Sequence, residues 1–136
     1  MDTLEDVPLF SDLRYEDLRL GQRWGPFTES VVQATSDGLR GAIDASAQGA
    51  EAPLGILPLL TLRALRRALK GIIPGGVLIR QSFAVVDRLP AESEVGIAVS
   101  ISAQDRRPSG FYTTFSFALS RGGAVAALVE WMILAP

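Results

Sequence analysis

Apolar positions along this chain follow two periods, first a helical one and then that of β-strands. The segment from Leu54 to Lys70 is apolar nearly all round in its first half and carries cations at helical spacing in its second half. Pro58 is tolerated in a first helical turn, cations favour the negative end of the helix dipole, and Gly71 supplies a C-terminal stop. These features predict a long helix with a buried beginning and a solvent-exposed end.

Four segments after this helix alternate between apolar and polar residues, which is the period of strands. They are Val77 to Val86, Val95 to Ala103, Phe111 to Leu119 and Ala124 to Leu134. The last is apolar on both faces except for Glu130, so it should meet something beyond its own helix. Arg121, Gly122 and Gly123 predict a tight hairpin, and a charged hairpin tip is predicted at Asp105 to Arg107.

The part of the chain before the long helix is less regular. Phe27 to Ala34 predicts a first strand, and Ser36 or Asp37 is a suitable N-cap for a short helix from Gly38 to Gln48. Residues 1–23 are acidic and without a strong period, so they predict an N-terminal arm with short turns. Residues 24–136 are then a single domain.

The element order predicts the fold class. A strand, a short helix and a long hydrophobic helix precede four strands with short connections, which makes an α+β antiparallel sheet of about five strands wrapped around one helix. This is the arrangement of a hotdog fold. In the rival cystatin-like or NTF2-like roll, the long helix is amphipathic throughout, and Leu54 to Leu62 argues against that. Hotdog protomers usually pair through their sheets, so the apolar final strand predicts a dimer or a higher oligomer.

Composition narrows the classes of partner. The chain has 136 residues, 48% of them hydrophobic and 21% charged, with a formal net charge of -2. That suits one domain with a real core and gives no global attraction to nucleic acid or anionic lipid. The acidic start lacks the features of a signal peptide, and no uncharged apolar run approaches the length that spans a membrane. We therefore expect a cytoplasmic protein that binds neither nucleic acid nor membrane.

The chain contains no histidine and no cysteine. This removes the usual proton shuttle near neutral pH, the commonest metal ligand and every thiol nucleophile. Zinc fingers, Ser/His/Asp triads and HExxH sites are excluded, and no dinucleotide-binding, Walker A or metal-spaced carboxylate pattern occurs. We expect no cofactor and no metal, so that only carboxylate, hydroxyl, amide or arginine chemistry remains, or none.

Several segments together carry a resemblance to a known family. They are YEDLRLGQ (Tyr15 to Gln22), a helix opening with Ser36 and Asp37, APLGIL before the long helix, and the closing FSFALSRGGAVAALVEW. In this order and spacing the chain, from Tyr15 to its end, resembles the MaoC-like hydratase/dehydratase family of hotdog proteins. Each motif is weak alone.

The resemblance implies a site at the start of the long helix. In the family, an Asp and a His from a DxNPxH loop move water and protons at the double bond of an acyl thioester, while a glycine amide polarises the thioester carbonyl. Gly55, followed by Ile56, matches that glycine, whose helix-end amides can hold an oxyanion. Between Ser46 and Gly55 the chain reads SAQGAEAPLG, with Gln48 near the position of the Asp and no His-bearing loop.

Each remaining candidate has a chemical and a structural interpretation. Glu51, just before the helix, and Asp44 are candidate catalytic carboxylates or solvated acids. Gly55 is an oxyanion donor or a glycine of helix entry or close packing, and Gln81 lines a polar cavity or marks a strand edge.

Two further features are more often structural. Asp37 is expected to cap its helix. The cationic cluster of Arg63, Arg66, Arg67 and Lys70, like Arg80, is either a solvated surface or a contact for the phosphates of coenzyme A.

Three functions stay open at this point. The first is a catalytically reduced MaoC-like subunit that binds an acyl thioester, on coenzyme A or on acyl carrier protein, or that completes a site for an active hydratase partner. The second is a carboxylate-dependent hotdog thioesterase, with Glu51 or Asp44 as base or nucleophile. The third is a structural or ligand-binding dimer without acyl chemistry. Homodimers and hetero-oligomers are both compatible with the first.

Overall fold

The computed structural model describes residues 6–32, 34 and 55–136. Within them a 3-10 turn at Tyr15–Asp17 precedes strand β1 (Arg23–Ser30), and helix α1 (Ile56–Leu69) precedes four more strands. These strands are β2 (Val77–Val85), β3 (Glu94–Arg107), β4 (Gly110–Arg121) and β5 (Ala124–Ala135). No helix in this part of the chain is long and apolar enough to cross a membrane.

The five strands form one antiparallel sheet in the order β1, β3, β4, β5, β2. The connection between β4 and β5 is the predicted tight hairpin, and its loop has two residues, Gly122 and Gly123. Gly122 and Gly123 have φ of 58° and 82° there, the positive values that such a turn requires. One long helix beside a five-stranded antiparallel sheet confirms the predicted α+β hotdog arrangement.

The first strand differs from its predicted bounds. Phe27 to Ala34 was expected, whereas β1 ends at Ser30 and the backbone at Val31 is already helical. The strand begins earlier because Arg23 and Trp24 pair with β3 ahead of a register shift that absorbs Gly25 and Pro26. An edge strand tolerates such a bulge, since a proline there removes no hydrogen bond that the sheet needs.

Helix α1 supplies the apolar layer that covers the sheet, packing chiefly on β1 and β3. Its buried positions are Ile56, Leu57, Leu60, Thr61, Ala64, Leu65, Ala68 and Leu69. On β3 the alternation is as predicted, with Val95, Ile97, Val99 and Ile101 all buried. On neighbouring strands, the rings of Phe117 and Trp131 pack edge to face, with their centroids 5.6 Å apart. One continuous core therefore lies between the helix and the inner face of the sheet.

The segment before β1 is fastened to the C-terminal end of α1. The helix ends in a left-handed Lys70, with φ of 57°. Ser11 donates its N–H to the carbonyl of Ile72 at 2.9 Å, and its hydroxyl donates to the carbonyl of Leu69 at 2.5 Å. Leu18, in the same segment, is buried in the core. The division between an arm (residues 1–23) and a domain (24–136) stays a prediction.

Strand β5 is not at the edge of the sheet. It was expected to serve pairing between protomers, but it hydrogen-bonds to β4 on one side and to β2 on the other. Its outer apolar residues, such as Val125 and Leu128, are nevertheless well exposed. Among the described strands, the edge strand on this side of the sheet is β2.

Candidate functional site

The N-terminus of α1 is the candidate site that the sequence points to. Gly55 is the N-cap residue, with φ of -62° and ψ of -11°, and no side chain caps the helix at this residue. No acidic residue lies in the first turn of α1. The first amides of a helix have no intrahelical acceptor and lie at the positive end of the dipole. This end is therefore chemically suited to an electron-rich oxygen.

No described residue packs closely against Gly55. A Cβ placed on this residue would meet no described atom within 4 Å, and the residue is exposed. The structure thus gives no support to close packing as the reason for this glycine. Ile56, which follows it, is 1% exposed and anchors the helix start in the core. Among the described residues, only the core side of this helix start is covered.

Three of the candidate residues fall outside the described part of the chain. They are Asp44, Gln48 and Glu51, together with Ser36, Asp37 and the short helix that was predicted to follow them. The roles of Glu51 and Asp44 as base or nucleophile, and of Gln48 as a pocket residue, accordingly stay predictions. Within the described ranges, no group of three or more Asp or Glu residues is placed to hold a metal ion.

Gln81 lies on β2, an edge strand of the described sheet. It pairs in register with Trp131 of β5, whose side chain belongs to the core, so Gln81 is on the inner face. Like every other residue of β2, it is exposed. The strand-edge interpretation of this residue therefore describes its position, while its role in a pocket remains a prediction. Arg80, its neighbour, is exposed as well.

The cationic cluster of α1 is not simply the solvated face that the sequence favoured. Arg63 and Arg67 are only 16% and 13% exposed, and both hold Glu29 of β1. Arg63 Nε donates to one carboxylate oxygen of Glu29 at 2.7 Å, and Arg67 Nε donates to the other at 2.6 Å. Lys70 is exposed, as expected. Two of the four cations thus join the helix to the first strand.

Sequence reasoning missed Glu29, although a signal for it exists. In β1 the residue alternates with Phe27 and precedes Val31 by two, so it shares their inward-facing position. Its side chain is 1% exposed. An isolated carboxylate at a core position requires buried cations, and arginines four residues apart project from one side of a helix. The two observations together indicate that Glu29 needs cationic partners, but they do not identify Arg63 and Arg67 as those partners.

Two cavities lie away from the start of α1. One, of about 680 Å³, is bounded by the segment before β1, by Trp24 and Phe27, and by the last turn of the helix. The other, of about 750 Å³, is a groove on the outer face of the sheet with Ala98, Ser116 and Glu130 in its floor. Gly55 and Ile56 line neither of them. Neither of these two cavities therefore adjoins the predicted site at the start of α1.

Tyr15 has a perturbed ionisation at the opposite end of the helix. Its hydroxyl donates to the carbonyl of Ile73 at 3.4 Å. Burial raises the pKa of the Tyr15 phenol above 10.0, because desolvation disfavours the phenolate. This neutral, partly buried phenol fastens the segment before β1 to the sequence that follows α1.

Because of this raised pKa, the free energy of unfolding should depend on pH in the alkaline range. Because the folded pKa is raised, the stabilisation by neutral Tyr15 is fully present below pH 10 and is lost as the pH rises through the folded pKa. In Tyr15→Phe, the free energy of unfolding should fall less steeply above about pH 10, while at neutral pH the change stays below about 1 kcal/mol. Denaturant titrations across this pH range measure both effects. Equal slopes for the variant and the original chain would contradict the assignment.

Comparisons with known proteins give matches through structure only. No family model matches the sequence. No curated protein matches it either. Solved structures do match: the R-hydratase PhaJ1 of Pseudomonas aeruginosa is 20% identical, with a TM-score of 0.62 over 90% of this chain and 85% of that one.

Two further structures give the same result. The MaoC-like dehydratase of Rhodospirillum rubrum is 15% identical, with a TM-score of 0.62 over 90% of this chain and 97% of that one. The HadBC (3R-hydroxyacyl-ACP dehydratase) complex of Mycobacterium tuberculosis is 16% identical, with a TM-score of 0.69 over 85% of this chain and 96% of that one. At sequence identities this low, the similarity shows a shared fold. The chain therefore has the hotdog fold of the MaoC-like dehydratases and R-hydratases, as its sequence resemblance indicated.

Proposed function

We propose that this protein is a catalytically reduced relative of the MaoC-like hydratases, which binds an acyl thioester at the N-terminus of α1. The observation that carries the proposal is the helix start at Gly55, against which no described residue packs, in a chain without histidine. Amides at a helix N-terminus hold a carbonyl oxygen that carries negative charge, as in an oxyanion hole. Without a proton donor of the imidazole type, binding is retained while hydration is lost.

The fold neighbours support the class of ligand. The matched structures include R-hydratases and a 3R-hydroxyacyl-ACP dehydratase complex, and the last of these names specifies an acyl group on a carrier protein. For this chain we propose an acyl thioester, with coenzyme A and acyl carrier protein as alternative carriers. An exposed helix start in front of the buried Ile56 suits a polar thioester head that leads into apolar surroundings.

A panel of ligands tests this function. The purified protein is incubated with enoyl, 3-hydroxyacyl and saturated acyl-CoA, and binding, hydration and thiol release are followed separately. Binding without turnover is expected. Hydration above about one turnover per second would refute the proposed loss of catalysis. Thiol release that disappears in Glu51→Gln would instead select the thioesterase with a catalytic carboxylate.

Removing the amide at the helix start tests the binding site itself. Gly55→Pro keeps a φ near -62°, which proline adopts, but removes the N–H of residue 55. We expect acyl-CoA affinity to fall by roughly 3- to 10-fold, which is the loss of one hydrogen bond. Gly55→Ala is the matched control, because a Cβ there meets open space and the N–H remains. Calorimetric titration measures both variants, and equal affinities in the two would contradict the role of this amide.

The proposed assembly is a dimer or a larger oligomer. One matched structure, the HadBC dehydratase, is a complex, which supports an active hydratase subunit as a partner for this chain. PhaJ1, which has the same fold, is not named as a complex, and pairing between copies of this chain is equally compatible with that fold. The fold likeness alone therefore does not choose between these two partners.

A further inference from the structure

The cavity at the C-terminal end of α1 has the size of a small-molecule site. Its volume of about 680 Å³ lies within the range of ligand pockets. Three separate pieces of the chain bound it: residues 6–13, β1 at Trp24 and Phe27, and the last turn of the helix. A helix of 14 residues is about 21 Å long, so this cavity is remote from Gly55 at the other end.

Aromatic rings form much of the wall of this cavity. Trp24 and Phe27 pair in register with Val99 and Ile97 of β3, whose side chains are buried in the core. Both rings therefore belong to the inner face of the sheet, and both are half-buried. Phe10 lines the cavity from the segment before β1 and is 60% exposed. Three rings that are partly accessible to water in one concave space favour a planar apolar ligand.

The wall that carries Phe10 is held in place by the backbone. The N–H of Ile72 donates to the carbonyl of Leu9 at 3.0 Å, and the N–H of Ser11 donates to the carbonyl of Ile72 at 2.9 Å. These hydrogen bonds lie on either side of Phe10, which forms a parallel bridge with Ile72. The cavity is therefore formed before a ligand enters, which lowers the entropic cost of binding.

The rim of the cavity has opposite charges on opposite sides. Arg67 and Lys70 line it from the last turn of α1, and their spacing of three residues places them on one helix face. Asp6 and Asp12 line it from the segment before β1. Glu29 holds the Nε of Arg67 at 2.6 Å, while Lys70 and Asp12 are exposed. A bound molecule would meet cations on the helix side and carboxylates on the other side.

We propose that this cavity binds a small aromatic zwitterion, a molecule that carries a planar ring, an ammonium group and a carboxylate. The ring packs against Trp24, Phe27 and Phe10, the carboxylate contacts Lys70, and the ammonium group contacts Asp12. A ligand with one charge alone would face the like charge on one side of the rim, so a ligand with both charges is the better match. The inference goes beyond the proposed function and uses none of its residues.

Four probes test the ligand class. They are L-phenylalanine, N-acetyl-L-phenylalanine, which lacks the ammonium group, L-phenylalanine amide, which lacks the carboxylate, and L-alanine, which lacks the ring. The chain has two tryptophans, so their indole N–H signals in NMR spectra report separately, and Trp24→Phe assigns them. L-phenylalanine should shift the Trp24 signal in a saturable manner, whereas Trp131, 7% exposed in the core, is the internal control. The other three probes should each bind at least about threefold more weakly.

Charge variants test the orientation of the ligand. Lys70→Gln should weaken L-phenylalanine roughly threefold and leave the amide unchanged, because the amide has no carboxylate. Asp12→Asn should weaken L-phenylalanine by a similar factor and leave the N-acetyl compound unchanged. Arg121→Gln, an exposed change on the distant hairpin, is the control. Phe10→Ala alters an exposed ring and should weaken every probe with a ring roughly fivefold.

Three results would overturn the proposal. They are a Trp24 signal that L-phenylalanine does not move, equal affinities for L-phenylalanine and its two singly charged analogues, and equal effects of Lys70→Gln and Arg121→Gln. The spectra themselves show whether each variant is folded. None of these measurements contains a thioester, and acyl-CoA titration of the Gly55 variants involves no residue of this cavity. Failure of this site and failure of the proposed function are therefore distinguishable.

Discussion

Glu29→Ala is expected to lower the free energy of unfolding by about 3–5 kcal/mol. The carboxylate is 1% exposed and receives hydrogen bonds from both Arg63 and Arg67, so its removal leaves two largely buried cations without this anion. An uncompensated charge away from water costs more than the ion pair contributes. Chemical denaturation followed by circular dichroism measures the difference in unfolding free energy.

Two controls separate burial from charge pairing as such. Asp105 and Arg107 form an ion pair at 2.6 Å with side chains about half exposed, and Asp105→Ala should cost less than about 1 kcal/mol. Combining Glu29→Met with Arg63→Met and Arg67→Leu replaces the buried cluster by apolar side chains and should be far less damaging than Glu29→Ala alone. A loss below about 1 kcal/mol in Glu29→Ala would show that water reaches these arginines.

Gly71→Ala is the second change with a large expected effect. Gly71 has φ of 125°, and a Cβ there would lie 2.6 Å from the backbone of both Phe10 and Ser11. Because backbone atoms cannot rotate away, the segment before β1 must move from the end of α1. We expect a loss of about 2–4 kcal/mol, from backbone strain and overpacking together. Thermal and denaturant unfolding give the size of this loss.

Gly75→Ala is the matched control for that variant. Gly75 also has a positive φ, of 91°, but a Cβ at this position meets nothing within 4 Å. It therefore carries the cost of backbone strain without the collision, roughly 1 kcal/mol. Hydrogen exchange at Ser11 and Ile72, whose amides join the two segments, should increase in Gly71→Ala and not in Gly75→Ala. Equal losses in both variants would show that the contact with Phe10 and Ser11 is unimportant.

The strands after α1 were predictable because their signal is local. The alternation of Val95, Ile97, Val99 and Ile101 reports a strand with one buried face, and all four are buried. The first strand was misplaced for a reason that is also physical. The predicted strand started at Phe27, yet β1 also includes Gly25 and Pro26 because its place at the edge of the sheet tolerates a bulge. Edge position is a property of the assembled sheet, not of the segment.

The candidate site was predictable in part. Gly55 at the start of a long apolar helix follows from its place in the sequence, and the structure makes it the N-cap with open space beside it. The partners of Arg63 and Arg67 did not follow, because Glu29 lies 34 and 38 residues away from them along the chain. Local patterns report the exposed or buried character of a face, but they do not identify the distant residue that covers it.

The amino-acid sequence by itself determined the long helix, the four later strands and the order of these elements along the chain, because hydrophobic periodicity needs no distant contact. It also determined the absence of histidine and cysteine, which is a matter of composition. Only the tertiary structure decided that β2 and not β5 is the edge strand, and that two arginines bind a buried glutamate. It also showed that Gly71 lies against the segment before β1. These features depend on which strands become neighbours, and that choice is made by the packing of the whole chain around α1.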